Sequence, residues 1–121
     1  MARVLIIEDD AQTRKTLRNI LERARHEVVE AHNGKVGISL YREEPADLVI
    51  ADMIMPEVDG VETIMKLRQD SPDVKIIAIS GGGRIGPDAY LFAAGKLGAL
   101  RTLPKPFGKK ELLGAVEEVL S

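Results

Sequence analysis

Cysteine and tryptophan are absent from this 121-residue chain, and the aromatic complement is two tyrosines and two phenylalanines. Without cysteine there is no disulfide framework, no thiolate zinc site and no cysteine nucleophile. With so few rings there is no aromatic platform for a flavin-type electron carrier. A dominant charge is lacking too: 17 basic and 19 acidic side chains leave a formal net charge of -2. That balance argues against a general nucleic-acid or membrane-surface binder. No apolar run approaches the 18 residues of a membrane span. The opening MARVLIIEDD is too short in its apolar run for a signal peptide, and acids interrupt it at once. Linkers, low-complexity tails and internal repeats are missing as well. The chain therefore reads as one cytoplasmic domain over residues 1–121, with its last periodic segment running into Ser121 and leaving no room for an output module, so it is expected either to act alone or to be a piece of a longer chain.

What is present is an alternation of short, branched apolar runs with amphipathic stretches, repeated about five times. RVLIIE (3–8), the pair Val28-Val29, 47–52, VKIIAI (74–79) and a segment near 99–103 read as buried strands of a parallel sheet. Helices are predicted between and after them. The first covers 11–24, with Leu17, Ile20, Leu21 and Ala24 on one face and Asp10 as N-cap. The second follows Asn33-Gly34, runs through Val36 and Leu40, and ends before Pro45. A third carries Val61, Ile64 and Leu67; a fourth starts at Pro87, with Tyr90, Leu91 and Ala94 inward and Gly95 or Gly98 near its end. The last places Leu112, Leu113, Val116, Val119 and Leu120 towards the sheet. Five βα units with right-handed crossovers give a three-layer α/β/α sandwich. The pattern allows either doubly wound strand order, and the flavodoxin-like order 2-1-3-4-5 suits five strands better than the six-stranded nucleotide-binding order.

Ligand sites in such sheets lie outside the carboxyl ends of the strands. Three of those ends carry charge here: Glu8, Asp9 and Asp10 after VLII, Asp52 after LVIA, and Lys105 after TLP. In the order 2-1-3-4-5 the first and third strands are neighbours, so Glu8, Asp9 and Asp52 converge. Close carboxylates raise one another's proton affinity unless a cation intervenes. An oxygen-only ligand set points to Mg2+, with Mn2+ as the alternative. Spacing alone leaves a second reading open, in which Glu8-Asp9-Asp10 caps a helix and meets solvent, and Asp10 fits that role best. Asp52 is also of a residue type that can accept a phosphoryl group as an acyl phosphate. Lys105 and the hydroxyl of Ser80 could then each serve one phosphoryl oxygen. A turn or cap residue at 52 and a solvated surface lysine at 105 are the bland alternatives. Ser80-Gly81-Gly82-Gly83 lacks the P-loop pattern, and Glu8 and Asp9 stand where a dinucleotide fingerprint needs glycine. His26 and His32 sit at no strand end, and Met53 and Met55 read as packing or loop anchors.

Over essentially its whole length the chain resembles a response-regulator receiver domain of bacterial two-component signalling. The segment DLVIADMIMPEVDG carries the resemblance, supported by the acid pair, Ser80, LGA (97–99) and KPF (105–107). The strand order 2-1-3-4-5 is itself a known property of that family. The resemblance implies that Asp52 is the phosphoacceptor and Asp9 a direct magnesium ligand. It further implies that Glu8 acts mainly through metal-bound water, and that the backbone carbonyl of Ile54 is the third protein ligand. Ser80 and Lys105 match the hydroxyl and amine that engage the phosphoryl group, and the Lys105–Pro106 bond is expected to be cis.

One position departs from the family pattern. Thr102 stands where the switch aromatic usually lies, three residues before the lysine. Output is therefore expected to use other elements, such as Ser80 with the glycine loop, or Tyr90. Ile54 and Gly82 match positions thought to tune hydrolysis. Neither offers an acid or amide to position water, so a long-lived phosphorylated state is expected. The implied partners are a sensor histidine kinase or histidine phosphotransfer protein and an unidentified downstream protein. The latter would be read through a face that includes Tyr90, Lys96, Arg101, Lys109 and Lys110. The resemblance leaves a terminal switch, a His–Asp phosphorelay intermediate and a phosphorylation-independent scaffold as alternatives. It also leaves open a monomer or a phosphorylation-linked homodimer.

Overall fold

A computed structural model describes residues 2–53, 60–80 and 94–121. Five strands form one parallel sheet: β1 (Arg3–Ile7), β2 (Glu27–Ala31), β3 (Leu48–Asp52), β4 (Ile76–Ser80) and β5 (Arg101–Pro104). Their order is β2-β1-β3-β4-β5, the flavodoxin-like arrangement. Helices α1 (Ala11–Arg23), α2 (Gly34–Glu43), α3 (Gly60–Asp70) and α4 (Lys109–Leu120) cover the two faces. The helix predicted from Pro87 falls largely outside the described residues. Its described tail ends at Gly98, whose φ of +105° is the left-handed geometry that favours glycine.

The side-chain period of two divides the core. Val4 and Ile6, Leu48 and Ile50, Ile77 and Ile79 join Leu17 and Leu21 of α1 and Leu112, Ala115, Val116 and Val119 of α4 in one cluster. Their alternates Leu5 and Ile7, Val49 and Ala51, Ile76 and Ala78 pack with Ile38 and Tyr41 of α2 and Ile64 and Leu67 of α3 in the other. Strands buried on both faces must be apolar at nearly every position, and β3 and β4 are buried throughout.

Two details go beyond the sequence reading. The buried stripe of α2 is Gly34, Gly37, Ile38 and Tyr41, while Val36 and Leu40 lie at its flank. A Cβ on Gly37 would stand 2.4 Å from Cδ1 of Ile7, so the helix backbone sits directly on β1. Apolar periodicity gives glycine no weight, so this face is not legible from it. β5 also runs one residue further than expected, through Pro104. Proline is tolerated there because β5 is an edge strand with one side unpaired.

The N-cap expected at Asp10 forms, and Asn33 caps the second helix in the same way. Oδ2 of Asp10 accepts the Thr13 N–H at 3.0 Å, and Oδ1 of Asn33 accepts that of Val36 at 2.8 Å. Asp10 is thus committed to the helix, leaving Glu8 and Asp9 as the acids free for other work.

Candidate functional site

Parallel pairing brings the strand ends into one crevice. Ile7 stands opposite Ala51, so continuing the alternation places Glu8 beside Asp52 where β1 and β3 end. One oxygen from each of Glu8, Asp9 and Asp52 lies within 4.8 Å of the others. Glu8 is fully buried, Asp52 is buried and Asp9 is exposed. Nζ of Lys105 reaches in from the end of β5, donating to Oε1 of Glu8 at 2.6 Å and Oδ2 of Asp52 at 3.5 Å. The amide of Lys105 donates to the carbonyl of Ser80 at 2.8 Å, which ties the lysine to the end of β4. The Lys105–Pro106 bond is cis, as expected.

The electrostatics follow from burial. Desolvation raises the carboxyl of Glu8 above its ordinary range, and the neighbouring Asp52 carboxylate pushes it the same way against the opposing pull of Lys105. Desolvation, with Glu8 alongside, also raises Asp9. For Lys105, desolvation is the largest single influence and favours the neutral amine. Glu8 and Asp52 together outweigh it, and the amine ends above its ordinary value. The cluster therefore holds more negative charge than one amine balances.

Three carboxylate oxygens at this separation, with no nitrogen or sulfur donor among them, fit a hard divalent cation. The fit has a second part: Oγ of Ser80 is fully buried with no hydrogen-bond partner among the described residues. A buried hydroxyl without a partner is costly, and it is available to an incoming acceptor.

The structure thus brings Glu8, Asp9, Asp52, Ser80 and Lys105 to one end of the sheet. Thr102 lies on β5 opposite Ala78, half-buried. Ile54, Gly82, Tyr90 and Met55 lie outside the described residues. Met53 is fully buried in the apolar cluster, in keeping with a packing role, and His32 is exposed. His26 accepts the Ala2 amide at the opposite end of the sheet, 3.2 Å away.

Two residues that the sequence reading passed over support the site. Arg14 of α1 donates from Nη1 to the backbone carbonyls of Glu8 at 2.9 Å and Asp9 at 3.2 Å. The signal for it was present: helical side chains lean towards the N-terminus, so a long residue one turn after the Asp10 cap reaches back over the strand end. Gly60, which opens α3, is the second. A Cβ there would meet Cα of Met53 at 2.3 Å and the carbonyl oxygen of Asp52 at 2.5 Å. Both obstacles are backbone, so Gly60→Ala is expected to displace the end of β3 and cost about 1–3 kcal/mol, read as a lower urea midpoint at unchanged slope.

Comparison with known proteins agrees with this geometry. The family model described as the response regulator receiver domain matches residues 4–117. The chain is 34% identical over 122 residues to the response regulator receiver protein CpdR of Brucella abortus, covering 99% of this chain and 98% of that one. It is 36% identical over 118 residues to the chemotaxis protein CheY of Thermotoga maritima, covering 97% and 96%. Among solved structures, a response regulator receiver domain protein from Clostridium thermocellum superposes with a TM-score of 0.90 at 26% identity, covering 99% of this chain and 94% of that one. The CheY-like receiver domain protein of Methanospirillum hungatei gives the same values. The chain belongs to the response regulator receiver domain family of two-component signalling. Its acidic cluster is consistent with the phosphorylation-based switch and metal-binding pocket typical of receiver domains. No helix among the described residues is long and apolar enough to cross a membrane.

Proposed function

We propose that the chain is a single receiver domain that takes a phosphoryl group onto Asp52 from the phosphohistidine of a sensor histidine kinase or histidine phosphotransfer protein. The state of Asp52 then modulates contacts with a downstream protein. The observation that carries this reading is the convergence of three carboxylates and the Lys105 amine on one buried crevice. In the transfer, an Asp52 carboxylate oxygen forms a bond to phosphorus as the phosphorus–nitrogen bond of the donor breaks. The electron pair leaves with the imidazole, which departs neutral because its other nitrogen already carries a proton. Lys105 and Ser80 each serve a phosphoryl oxygen, the amine by charge and the hydroxyl by a hydrogen bond. Asp9 and Asp52, with Glu8 through water and the Ile54 carbonyl implied by family resemblance, would hold Mg2+. That ion supplies charge neutralisation at the phosphoryl oxygens.

Phosphorylation adds charge at one end of the sheet and biases a two-state arrangement of neighbouring segments. With Thr102 at the aromatic position, that bias runs through Ser80 and the segment after it, with Tyr90 as a further candidate. Intact mass after incubation with acetyl phosphate and Mg2+ tests the reading. Wild-type protein is expected to gain one phosphoryl mass, and Asp52→Ala or added EDTA to abolish the gain. On removal of donor the adduct is expected to persist well beyond the loading period, because Ile54 and Gly82 offer no group to position water. A gain that survives Asp52→Ala would place the chemistry elsewhere and overturn the reading.

A further inference from the structure

The acid pair sits on a turn between β1 and α1, and a turn is a loose mount for two carboxylates that repel. Arg14 addresses that problem. Its Nη1 donates to both carbonyls of the turn, Glu8 at 2.9 Å and Asp9 at 3.2 Å, while its Nε donates to Oε1 of Glu30 at 3.2 Å. Glu30 belongs to β2, opposite Ile6 of β1, so the anchor is the sheet itself. The other oxygen of Glu30 takes Arg18, which also reaches Glu22 at 3.1 Å. Side chains of Arg14 and Glu30 are only 20% and 28% exposed, so this is no free-swinging surface pair.

We propose that Arg14 is a positioning residue, a rigid fork that pins the backbone of Glu8 and Asp9 to β2 and so holds the two carboxylates in register with Asp52. The guanidinium suits this because its donors point in fixed directions, and one side chain can satisfy two carbonyls and a carboxylate together. A lysine in the same place carries the charge but not the fork. An ordinary exposed ion pair on α1 would contribute little and would leave the turn unaffected. The consequence for cation binding rests on the proposed function, whereas the pinning of the turn does not.

The test uses the full chain with Arg14→Gln, Arg14→Lys and Glu30→Gln. Amide hydrogen exchange is followed without metal at Glu8 and Asp10, against Ile6 and Ile50 as core references. The Glu8 amide donates to Ala31 O at 3.0 Å and the Asp10 amide to Oε2 of Glu8 at 3.2 Å, so both report on the turn. Arg14→Gln is expected to speed exchange at these two amides about tenfold with the core amides unchanged. In calorimetric titration with magnesium chloride it should weaken binding by roughly tenfold, the lower end for lost outer-shell partners. Arg14→Lys should recover little of either, and Glu30→Gln should show a smaller change of the same kind. Wild-type exchange in Arg14→Gln, or full recovery in Arg14→Lys, overturns the fork. If wild-type protein takes up no magnesium, the proposed function fails, and the exchange data still decide the role of Arg14.

Discussion

Lys105→Met is expected to destabilise the metal-free protein by about 2–3 kcal/mol at neutral pH, despite replacing a charged side chain with an apolar one. Removing one member of a buried ion pair costs roughly 3–5 kcal/mol because the remaining charge is stranded. Here Glu8 is fully buried and Asp52 nearly so, and Lys105 at 2.6 and 3.5 Å is the cation both carboxylates face among the described residues. The lower figure applies because the lysine side chain is 23% exposed and water screens part of the interaction. Glu8 sets the pH dependence. Its carboxyl is raised in the folded state by burial and by Asp52, so between its ordinary 4.5 and that raised value the folded protein binds more protons than the unfolded chain. Stability therefore falls as pH rises through this window. Losing Lys105 removes the influence that lowers Glu8, which widens the window upward and makes the variant's deficit small near pH 4.5. Urea denaturation of both proteins across pH 4.5–8 without metal checks this. An equal deficit at every pH would mean that lost packing, and not stranded charge, is responsible.

The same burial explains which parts of the molecule could be read from the sequence. Strands β3 and β4 are covered on both faces, so their apolar runs carry an unambiguous signal, and charge following such a run marks a strand end. Glu8 and Asp52 were legible for that reason, β1 being buried at all but its first position, whereas Lys105 follows the partly exposed edge strand β5 and was legible chiefly through the family resemblance. Ser80 was legible by position, but the buried, unpartnered state of its hydroxyl required coordinates. Contacts made by backbone were hidden. Arg14 bonds carbonyls that every residue possesses, Gly37 contributes to α2 by having no side chain, and Gly60 leaves room for the backbone of Asp52 and Met53. None of these produces a pattern in residue type. The face of α2 was not legible on just that account, since Val36 and Leu40 carry apolar side chains and the glycine that lies against Ile7 carries none.

Asp52→Asn is expected to act in opposite directions on function and on folding. Phosphoryl uptake should be lost completely, because an amide is no nucleophile towards phosphorus under these conditions. Metal-free stability, by contrast, should rise by about 1–2 kcal/mol at neutral pH. One oxygen of each of Glu8 and Asp9 lies within 4.8 Å of one on Asp52, so removing its charge relieves two like-charge contacts while giving up the attraction of Lys105 at 3.5 Å. Solvent screens the exposed Asp9, so the relief comes chiefly at the buried Glu8, whose carboxyl Asp52 pushes up. Burial of Asp52 adds a desolvation cost that the neutral amide avoids in part. The gain should shrink when Mg2+ is added, since a cation stabilises the wild-type folded state by mass action and the variant offers it one carboxylate fewer. Such a result would identify the carboxylate cluster as a place where folding stability is given up for chemistry. A variant that is less stable than wild type without metal would mean that the favourable contacts of the Asp52 carboxylate, Lys105 among them, dominate, and the crevice charge would then be balanced without any added cation.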